Sequence, residues 1–387
     1  MPETSSIDAA DPGSVEFVTV DAGEALQLAA AMKPHAAMTP FQMAGWLESI
    51  MDTLMEDGSE RPLFVAGMRG ARCSILLPLA IFERRGLRLL GWLGQAVSDY
   101  NGPIADRQFL DNASPALARQ IWARAASLAG PVDLVYARKQ PVEIAGLDNP
   151  FSGVSARSES DRAHMRRLNR PWPEIEGELV SKKSRKRLKE KQRALARNGT
   201  FEVRAVDDRD EVDHCCLFLM RWKSDQLERT GATNPFSDPS YRRFMESACR
   251  RGDLRLHAAF LDSVPLAVTC LLEDEDSWAL YQTGFDPAYS RHSVGRILNI
   301  ALLESASRSG IRVFDFGYGD EEYKRPLCDQ SVALTYSLVP FTARGRVSAG
   351  VLSGALALRK YIKGNAQLRD GALRLRRAVH EIRGRLE

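Results

Sequence analysis

The amino-acid sequence predicts an α/β fold of the α+β type, a mixed sheet with helices on its faces, that is built twice along the 387 residues. Two observations support this prediction. Each half opens with an alternating strand pattern followed by a helical pattern, and each half closes with an amphipathic helix leading into a short apolar strand. Between them lie apolar runs separated by turn sequences. The length has room for two or three domains.

The two halves follow the same order of elements. The first half is predicted to contain a strand at 15–20, a helix at 22–32, strands at 62–68 and 73–82 around a turn at 69–72, a helix at 115–129 and a strand at 132–138. The second half repeats this order with a strand at 201–206, a helix at 210–227, strands at 255–261, 266–273 and 278–285, a helix at 294–309 and a strand at 313–316.

These patterns divide the chain into five segments. We expect a flexible N-terminus at 1–14, a first domain at 15–165, a basic linker or helical arm at 166–200, a second domain at 201–340 and a basic helical tail at 341–387. In the tail, 364–365 separates two helical stretches, and the second, at 366–386, places its leucine, valine and isoleucine residues on one side.

The formal net charge of +3 hides two strongly basic segments. Residues 181–197 hold nine Lys and Arg against one acid, and residues 341–387 hold eleven against three. Such segments commonly bind phosphate groups, and a solvated helix face is the alternative. The six cysteines form no C-x-x-C pair, the histidines show no metal spacing, and no signal peptide or apolar run of membrane-spanning length is evident. We expect a reducing, cytoplasmic setting with no integral membrane segment and no metal site.

The segment F-D-F-G-Y-G-D-E-E-Y-K at 314–324 has the densest concentration of reactive side chains. It begins in a buried strand and ends in a loop with two glycines, and ligands bind outside the carboxyl ends of strands in open sheets. Asp315 alternates with two phenylalanines, and we expect it to be a buried carboxylate that accepts loop amides. An exposed turn is the alternative for the rest of the loop.

A second segment, D-P-A-Y-S-R-H-S-V-G-R-I at 286–297, joins a strand to a helix. Ser293 is the expected N-cap, and the helix start with Arg291 and Arg296 is a candidate anion site. Many strand–loop–helix joints have similar sequences, so an ordinary connection is the alternative.

Taken together, residues 278–324 resemble the CelD-like acyltransferases, a branch of the GNAT superfamily. The matching residues are Tyr281, Gly284, Asp286, Pro287, Ser293, Gly295, Asp315, Phe316, Gly317, Gly319, Asp320, Glu321, Tyr323 and Lys324. Ser98-Asp99-Tyr100 resembles that family's D-Y segment, and the resemblance extends over about 15–339.

The resemblance implies a tandem GNAT-like fold, related to the Fem peptidyltransferases, that transfers an acyl group to an amine. The implied donor is acyl-CoA, with its pyrophosphate held by Arg291, Ser293, Val294, Gly295 and Arg296. The superfamily's Q/R-x-x-G-x-G/A signature is incomplete, since Val294 and Arg296 occupy its glycine positions. This leaves longer acyl-CoA, acyl carrier protein or aminoacyl-tRNA open as donors in place of acetyl-CoA.

Acyl transfer to an amine needs a base, oxyanion donors and a proton for the leaving thiolate. We expect Lys324 to stabilise the oxyanion, Asp320 or Glu321 to deprotonate or orient the amine, and Tyr323 to be the acid, with Tyr318 the alternative. Cys328 has no neighbouring histidine in sequence and is not expected to be a nucleophile.

The acceptor is expected to be a small-molecule amine. The residues predicted to line its site are Asp99, Tyr100, Trp222, Lys223, Tyr281, Gly317 and Tyr318. For Trp222 and Lys223, a core tryptophan beside a lysine that extends its charge to solvent is the alternative.

The first functional hypothesis is an N-acyltransferase acting on an amino sugar or sugar-derived metabolite in exopolysaccharide or cellulose biosynthesis. The pathway follows only from the resemblance. A Fem-like transferase using aminoacyl-tRNA is the second, with the basic segment contacting tRNA, although a simple linker is favoured for that segment. The third is a non-catalytic scaffold near a polysaccharide synthase.

Overall fold

The computed structural model describes residues 15–56 and 58–365. The N-terminus at 1–14 and the second tail helix at 366–386, both predicted above, lie outside these residues. The described chain forms two compact units. The first contains residues 15–162 and 332–364, and the second contains residues 163–331 with Asn365. Within the described part, no helix is both long enough and apolar enough to cross a membrane.

The elements of the first unit begin with a strand and a helix, as predicted. In chain order they are β1 (Glu16–Val20), α1 (Ala22–Met32), β2 (Ala36–Ala37), α2 (Ala44–Leu54), β3 (Glu60–Arg69), β4 (Arg72–Arg84), β5 (Leu87–Trp92), β6 (Ile104–Asp106), α3 (Arg107–Asp111), α4 (Pro115–Ala129), β7 (Leu134–Pro141), β8 (Glu143–Ile144) and β9 (Leu147–Asp148).

The chain passes into the second unit within a long strand and returns within another. The elements that follow are β10 (Ala156–Arg167), α5 (Trp172–Leu179), α6 (Lys182–Ala196), β11 (Phe201–Val206), α7 (Arg209–Thr230), α8 (Pro239–Arg251), β12 (Arg255–Leu261), β13 (Val264–Glu273), β14 (Ser277–Phe285), α9 (Val294–Arg308), β15 (Val313–Tyr318), β16 (Gln330–Pro340) and α10 (Ala343–Gly364).

The strands of the two units have the same mixed arrangement. The order is β1-β3-β4-β5-β7-β16 in the first and β11-β12-β13-β14-β15-β10 in the second. On each of these paths one strand pair is parallel, β5 with β7 and β14 with β15, and the others are antiparallel. The predicted duplicated mixed sheet is confirmed.

The last strand in each order comes from a different part of the chain than the sequence pattern suggests. β10 follows β7 in sequence, yet its second part pairs with β15, where Met165 lies opposite Asp315. Conversely, β16 follows β15 in sequence and pairs with β7, with Val339 opposite Val135. The units therefore exchange their final strands.

The division into units differs from the sequence-based boundaries. Residues 166–200, expected to be a linker or arm, belong to the second unit as the end of β10, α5 and α6. Helix α6 begins with an N-cap, because the Ser181 side chain accepts a bond from the Ser184 amide. Its Leu195 is buried in the core of that unit, so the segment is a packed helix.

The core of the second unit positions the strand that leads to the candidate site. Phe314 and Phe316 on β15 are fully buried, and their ring centroids lie 4.9 Å apart. They pack with the buried face of α9, including Leu298 and Leu302. Replacing either phenylalanine with alanine should cost about 3–5 kcal/mol, so the end of β15 is held on a rigid base.

Candidate active site

The parallel strands β14 and β15 separate after a short stretch of pairing. They pair at Ser277–Val313, Trp278–Phe314 and Ala279–Asp315, after which β14 continues to Phe285 and β15 to Tyr318. A β-bulge in β14 at Tyr281, opposite β13, lies just beyond the last pair. Bulges bend a strand and increase its twist. Beyond Ala279, β14 has no β-ladder to β15 among the described residues, and we call this interruption the gap.

The loop that follows β15 is shaped by its own side chains. Asp315 is buried, and its Oδ1 accepts a hydrogen bond of 2.7 Å from the Gly317 amide, which confirms the expectation of a buried carboxylate holding the loop. Gly317 and Gly319 have φ values of +72° and +115°, a region that favours glycine. The strand end is thus a fixed turn.

Lys324 is buried inside this turn, with 3% of its surface exposed. Its Nζ donates to the carbonyl oxygens of Gly317 at 3.2 Å and Tyr318 at 3.0 Å, and lies 2.8 Å from Oε2 of Glu321. An ammonium group has three donors, and three acceptors surround this one. The predicted contact with an oxyanion would need one of these bonds to break.

Asp320 contacts a histidine that the sequence did not indicate. Its Oδ1 lies 2.8 Å from Nε2 of His164 on β10. The pairing of β10 with β15 shifts register between Ala163 and Met165, where His164 on β10 lies opposite two residues of β15, Phe316 and Gly317. The extra residue is therefore on β15, and this bulge lies where His164 meets the strand-end loop.

The basic residue Lys223 on α7 lies close to the same loop. Burial lowers the pKa of its ammonium group; Glu321 opposes this effect and Lys324 adds to it. Within the described part of the chain, Lys223 has no hydrogen bond or ion pair. Glu321 and Lys324 on this loop therefore lie near Lys223, and Asp320 belongs to the same loop.

Two residues predicted to line the acceptor site, Trp222 and Tyr281, are buried. Trp222 is buried and packs against Phe218, with ring centroids 5.1 Å apart, which fits the alternative of a core tryptophan. The hydroxyl of Tyr281 lies 2.9 Å from that of Tyr241 in a buried pair. Tyr323 is exposed on the loop.

The start of α9 carries a cluster of cations, but its N-cap differs from the prediction. Ser293 adopts a left-handed conformation with φ +56°, and its side chain caps no helix amide. Instead its Oγ accepts a 2.6 Å bond from Nζ of Lys191 on α6. Burial, Arg187 and Arg296 lower the pKa of Lys191. The basic segment thus brings charge to the helix start, where the first amides have no intrahelical acceptor.

Two further residues complete this helix start. The Nε of Arg291 donates to Nε2 of His292 at 3.0 Å, and burial together with the charges of Arg291 and Lys191 lowers the pKa of His292. Gly295 faces Phe285, and a Cβ at this position would lie 3.3 Å from its ring. A larger residue would force the ring to move, so the glycine permits close packing of α9 against the end of β14.

The first unit has the same parallel pair, but its gap is filled. β5 and β7 pair at Leu89–Leu134 and Leu90–Val135. Beyond that point the buried Gln95 side chain donates to the Tyr136 carbonyl at 3.1 Å and accepts from the Arg138 amide at 3.0 Å. The Gln95 amide therefore replaces the backbone partner that an extended ligand would supply.

The predicted acceptor residues of the first unit lie beside a buried cation. Tyr100 is buried and packs edge-on against Phe41, with centroids 5.5 Å apart. Lys139 has φ +52°, and its Nζ donates to the Ser98 carbonyl at 2.7 Å. Burial lowers the pKa of Lys139, and the charge of Asp99 opposes that shift. The structure describes these residues as part of a separate unit from the cluster around Lys324.

Cys328 is a poor nucleophile in this environment. It is half-buried, and burial raises the pKa of its thiol to about 12. The thiolate is the reactive form, so this thiol is largely protonated at neutral pH. This supports the expectation that transfer does not pass through Cys328.

Residues 182–325 match the profile of the family described as acetyltransferase (GNAT) domain. The match covers the second unit from α6 to the loop after β15, which contains the loop residues described above. This part of the chain is therefore similar to a GNAT acetyltransferase domain, and the prediction of an acyltransferase is confirmed. No curated protein matches the chain significantly.

Solved structures resemble most of the chain. FemX matches with a TM-score of 0.56 at 11% identity, over 84% of this chain and 97% of its own. A conserved protein of unknown function from Bacteroides thetaiotaomicron matches with a TM-score of 0.53 at 11% identity, over 84% and 99%. The C-terminal domain of a putative lysylphosphatidylglycerol synthetase from Agrobacterium fabrum matches with a TM-score of 0.50 at 14% identity, over 87% and 97%. At these identities the likeness concerns the fold.

Proposed function

We propose that the second unit transfers an acyl group from acyl-CoA to the amine of a small molecule. The observation that carries this proposal is the separation of β14 from β15 beside the loop of Asp320, with His164 in contact with Asp320 and Lys223 near the same loop. The open edge of β14 fits an extended donor arm that pairs with backbone groups. Lys191 and Arg296 at the start of α9 fit the donor's phosphate groups.

The proposed roles differ from the sequence-based ones at Lys324 and at the base. In the transfer, a C–N bond forms between the amine and the acyl carbon of acyl-CoA, and the C–S bond breaks. The amine gives one proton to a base, and the leaving thiolate takes up one proton from an acid. We assign Lys324 as a positioning residue, because its three donors hold the strand-end turn. The proton source for the thiolate is proposed to be Tyr323, with Tyr318 as the alternative.

The base is proposed to be His164. If Nε2–H donates to Asp320, the neutral ring presents Nδ1 as an acceptor, and Nδ1 has no hydrogen-bond partner among the described residues. Asp320 then fixes the tautomer and stabilises the charged ring that forms when the amine loses its proton. Glu321 remains a candidate for orienting the ammonium group of the acceptor.

The experiment is a CoA-thiol release assay with acetyl-CoA and longer acyl-CoA against a panel of amines that includes amino sugars. His164→Gln should lower turnover at least about 100-fold and leave the donor Kd unchanged. The matched control is His257→Gln, because His257 also pairs with a carboxylate, Glu273, at 2.6 Å. Equal losses in both variants, or an unchanged rate in His164→Gln, would contradict the assignment.

The CelD-like resemblance makes an amino sugar or sugar-derived amine in polysaccharide production the preferred acceptor within this proposal. Acyl carrier protein is an alternative donor, since the phosphate signature is incomplete. A non-catalytic scaffold near a polysaccharide synthase is the reading left if no donor binds. Thermal shifts with acyl-CoA separate these readings, because a bound donor raises the melting temperature.

A second candidate function is aminoacyl transfer from tRNA, favoured by the surface of α6. Lys182, Lys183, Lys186 and Lys189 are exposed on this helix and have no ion pair in the described part of the chain. Neutralising them should weaken tRNA binding steeply and reduce its salt dependence if they contact phosphates. Acyl-CoA turnover should stay unchanged if the helix serves only the donor site through Lys191.

A further inference from the structure

Helix α10 in the first unit presents an apolar stripe to solvent. Val347, Val351, Leu358 and Tyr361 are 70%, 67%, 59% and 65% exposed. Together with Gly354 they recur at intervals of four and three residues, which places them on one side of the helix. Single exposed apolar residues are common, but a continuous row of them marks an interaction surface.

The opposite side of α10 is packed, so the helix is held with the stripe facing outward. Ala349, Leu352 and Leu356 contact a buried cluster that includes Leu338. Gly345 allows the close approach of the first turn, because a Cβ there would lie 1.9 Å from the Asp133 carbonyl oxygen. The stripe is thus a fixed feature of the surface of this unit.

The charge of α10 is of one sign. Its sequence contains Arg344, Arg346, Arg359, Lys360 and Lys363 and no acid. At 100° per residue, Arg344 lies about 60° from the centre of the stripe on one side and Arg346 about 100° on the other. Arg359 and Lys360 follow on these two sides at about 120° and 140°, next to the packed face. Arg344 donates to the Gly86 carbonyl, whereas Arg346, Arg359 and Lys360 are exposed and have no ion pair with any described residue.

We propose that α10 is a docking surface for an anionic lipid bilayer, on which the helix lies parallel to the membrane plane. An apolar stripe between flanking cations is the pattern of interfacial helices, whose apolar residues enter the headgroup boundary while Lys and Arg contact anionic headgroups. The lack of acids removes the repulsion that such a surface would otherwise produce. Tyr361 adds a side chain that favours the interface.

Helix α6 is equally basic but has no comparable stripe. Apart from Glu190 and Ala196 its exposed residues are cations, and its buried side chain is Leu195. A polyanion such as RNA would suit α6, while the combination of cations and exposed apolar side chains favours a lipid surface for α10. The two helices therefore provide matched test and control positions within one chain.

The test is sedimentation of the full chain with vesicles of phosphatidylcholine containing about 30% phosphatidylglycerol, and with pure phosphatidylcholine vesicles as reference. We expect binding to the anionic vesicles only. Arg346→Gln with Arg359→Gln and Lys360→Gln should lower the partition coefficient about 100-fold, since each charge near the surface contributes about fivefold.

Replacing the stripe separates this proposal from simple charge attraction. Val347→Ser with Val351→Ser and Leu358→Ser should lower vesicle binding more than about tenfold. The melting temperature should stay unchanged, because all three side chains are exposed. The control, Lys182→Gln with Lys183→Gln and Lys186→Gln on α6, should bind vesicles as the wild type does.

Three results would overturn the proposal. The wild type could fail to bind anionic vesicles, or the stripe variant could bind them unchanged. A third is a dimer in light scattering that the stripe variant converts to a monomer, which would assign the stripe to a second copy of the chain. Acyl-CoA binding serves as the fold check in every variant and does not depend on the outcome.

Discussion

Replacing Lys324 with methionine removes three polar contacts from the strand-end turn while keeping most of the side-chain length. The change leaves the carbonyl oxygens of Gly317 and Tyr318 without the donor they now share. Each unsatisfied buried acceptor costs about 1–3 kcal/mol. The carboxylate of Glu321 is half-exposed and returns to water, so its loss adds little.

We therefore expect Lys324→Met to lower the free energy of unfolding by about 2–5 kcal/mol. For a unit of this size that corresponds to a loss of roughly 5–15 °C in Tm. Thermal unfolding followed by circular dichroism measures the effect, with donor binding measured by calorimetry well below the transition. Glu321→Gln is the control, because it removes the exposed partner alone and should cost less than about 1 kcal/mol.

The competing explanation predicts the opposite pattern. If Lys324 donates to the oxyanion, its loss should reduce turnover about 100-fold and leave folding and donor binding intact. A Lys324→Met protein that melts within 1 °C of the wild type and binds acyl-CoA, yet transfers poorly, would refute the positioning role. A variant that loses stability and turnover together supports it.

Four further outcomes are expected. Lys191→Gln should weaken CoA binding about tenfold in calorimetry, with a smaller effect at high salt, since it removes a charge beside the proposed phosphate site. Calorimetry should give one CoA per chain, because Gln95 fills the equivalent gap in the first unit; two would contradict this. Cys328→Ser should keep full turnover, and iodoacetamide should label Cys328 slowly at pH 7.5. The hydrogen bond from Arg170 lowers the pKa of Glu178 from its ordinary value of 4.5 to about 2. The pair therefore stabilises the fold fully above pH 4.5, and this contribution is lost as the pH falls through 2. Glu178→Gln should lower Tm at pH 7 and match the wild type near pH 2.

Local sequence patterns predicted the elements that form through local periodicity. The helix at 115–129 and the strands at 201–206 and 255–261 have the predicted bounds. Their apolar spacing, the capping serine before Pro115 and the flanking turn residues all act within a few residues. The buried role of Asp315 also followed from simple alternation with two phenylalanines.

The strand exchange could not be predicted in this way. The pairing of β16 with β7 joins residues almost two hundred positions apart, and no local signal indicates which strand edge β16 will join. His164 was missed for the same reason, since it meets Asp320 only because β10 completes the strand order of the second unit. The sequence around it is too polar to show a clear strand alternation.

The start of α9 lies where the sequence predicts it, but the predicted contact of Ser293 is wrong. The helix start was expected to be capped by Ser293, but a positive φ directs that side chain away from the helix amides and toward Lys191. The sequence indicated a basic segment at 181–197 without placing any one of its nine cations. Only packing of α6 against the connection before α9 selects Lys191 for this position.

The two units share a strand framework, and we expect only the second to bind the donor. Both units separate their parallel strands, and that separation leaves backbone groups that need partners. In the first unit Gln95 supplies both a donor and an acceptor from one side chain, so the gap is satisfied without a ligand. In the second unit Lys324 and Asp315 bind backbone groups of the turn after β15, and among the described residues β14 has no ladder to β15 beyond Ala279. A ligand that entered the first gap would have to break the two buried hydrogen bonds of Gln95. A ligand that paired with β14 in the second gap would break neither. Donor binding should therefore belong to the second unit even though the strand arrangement is shared.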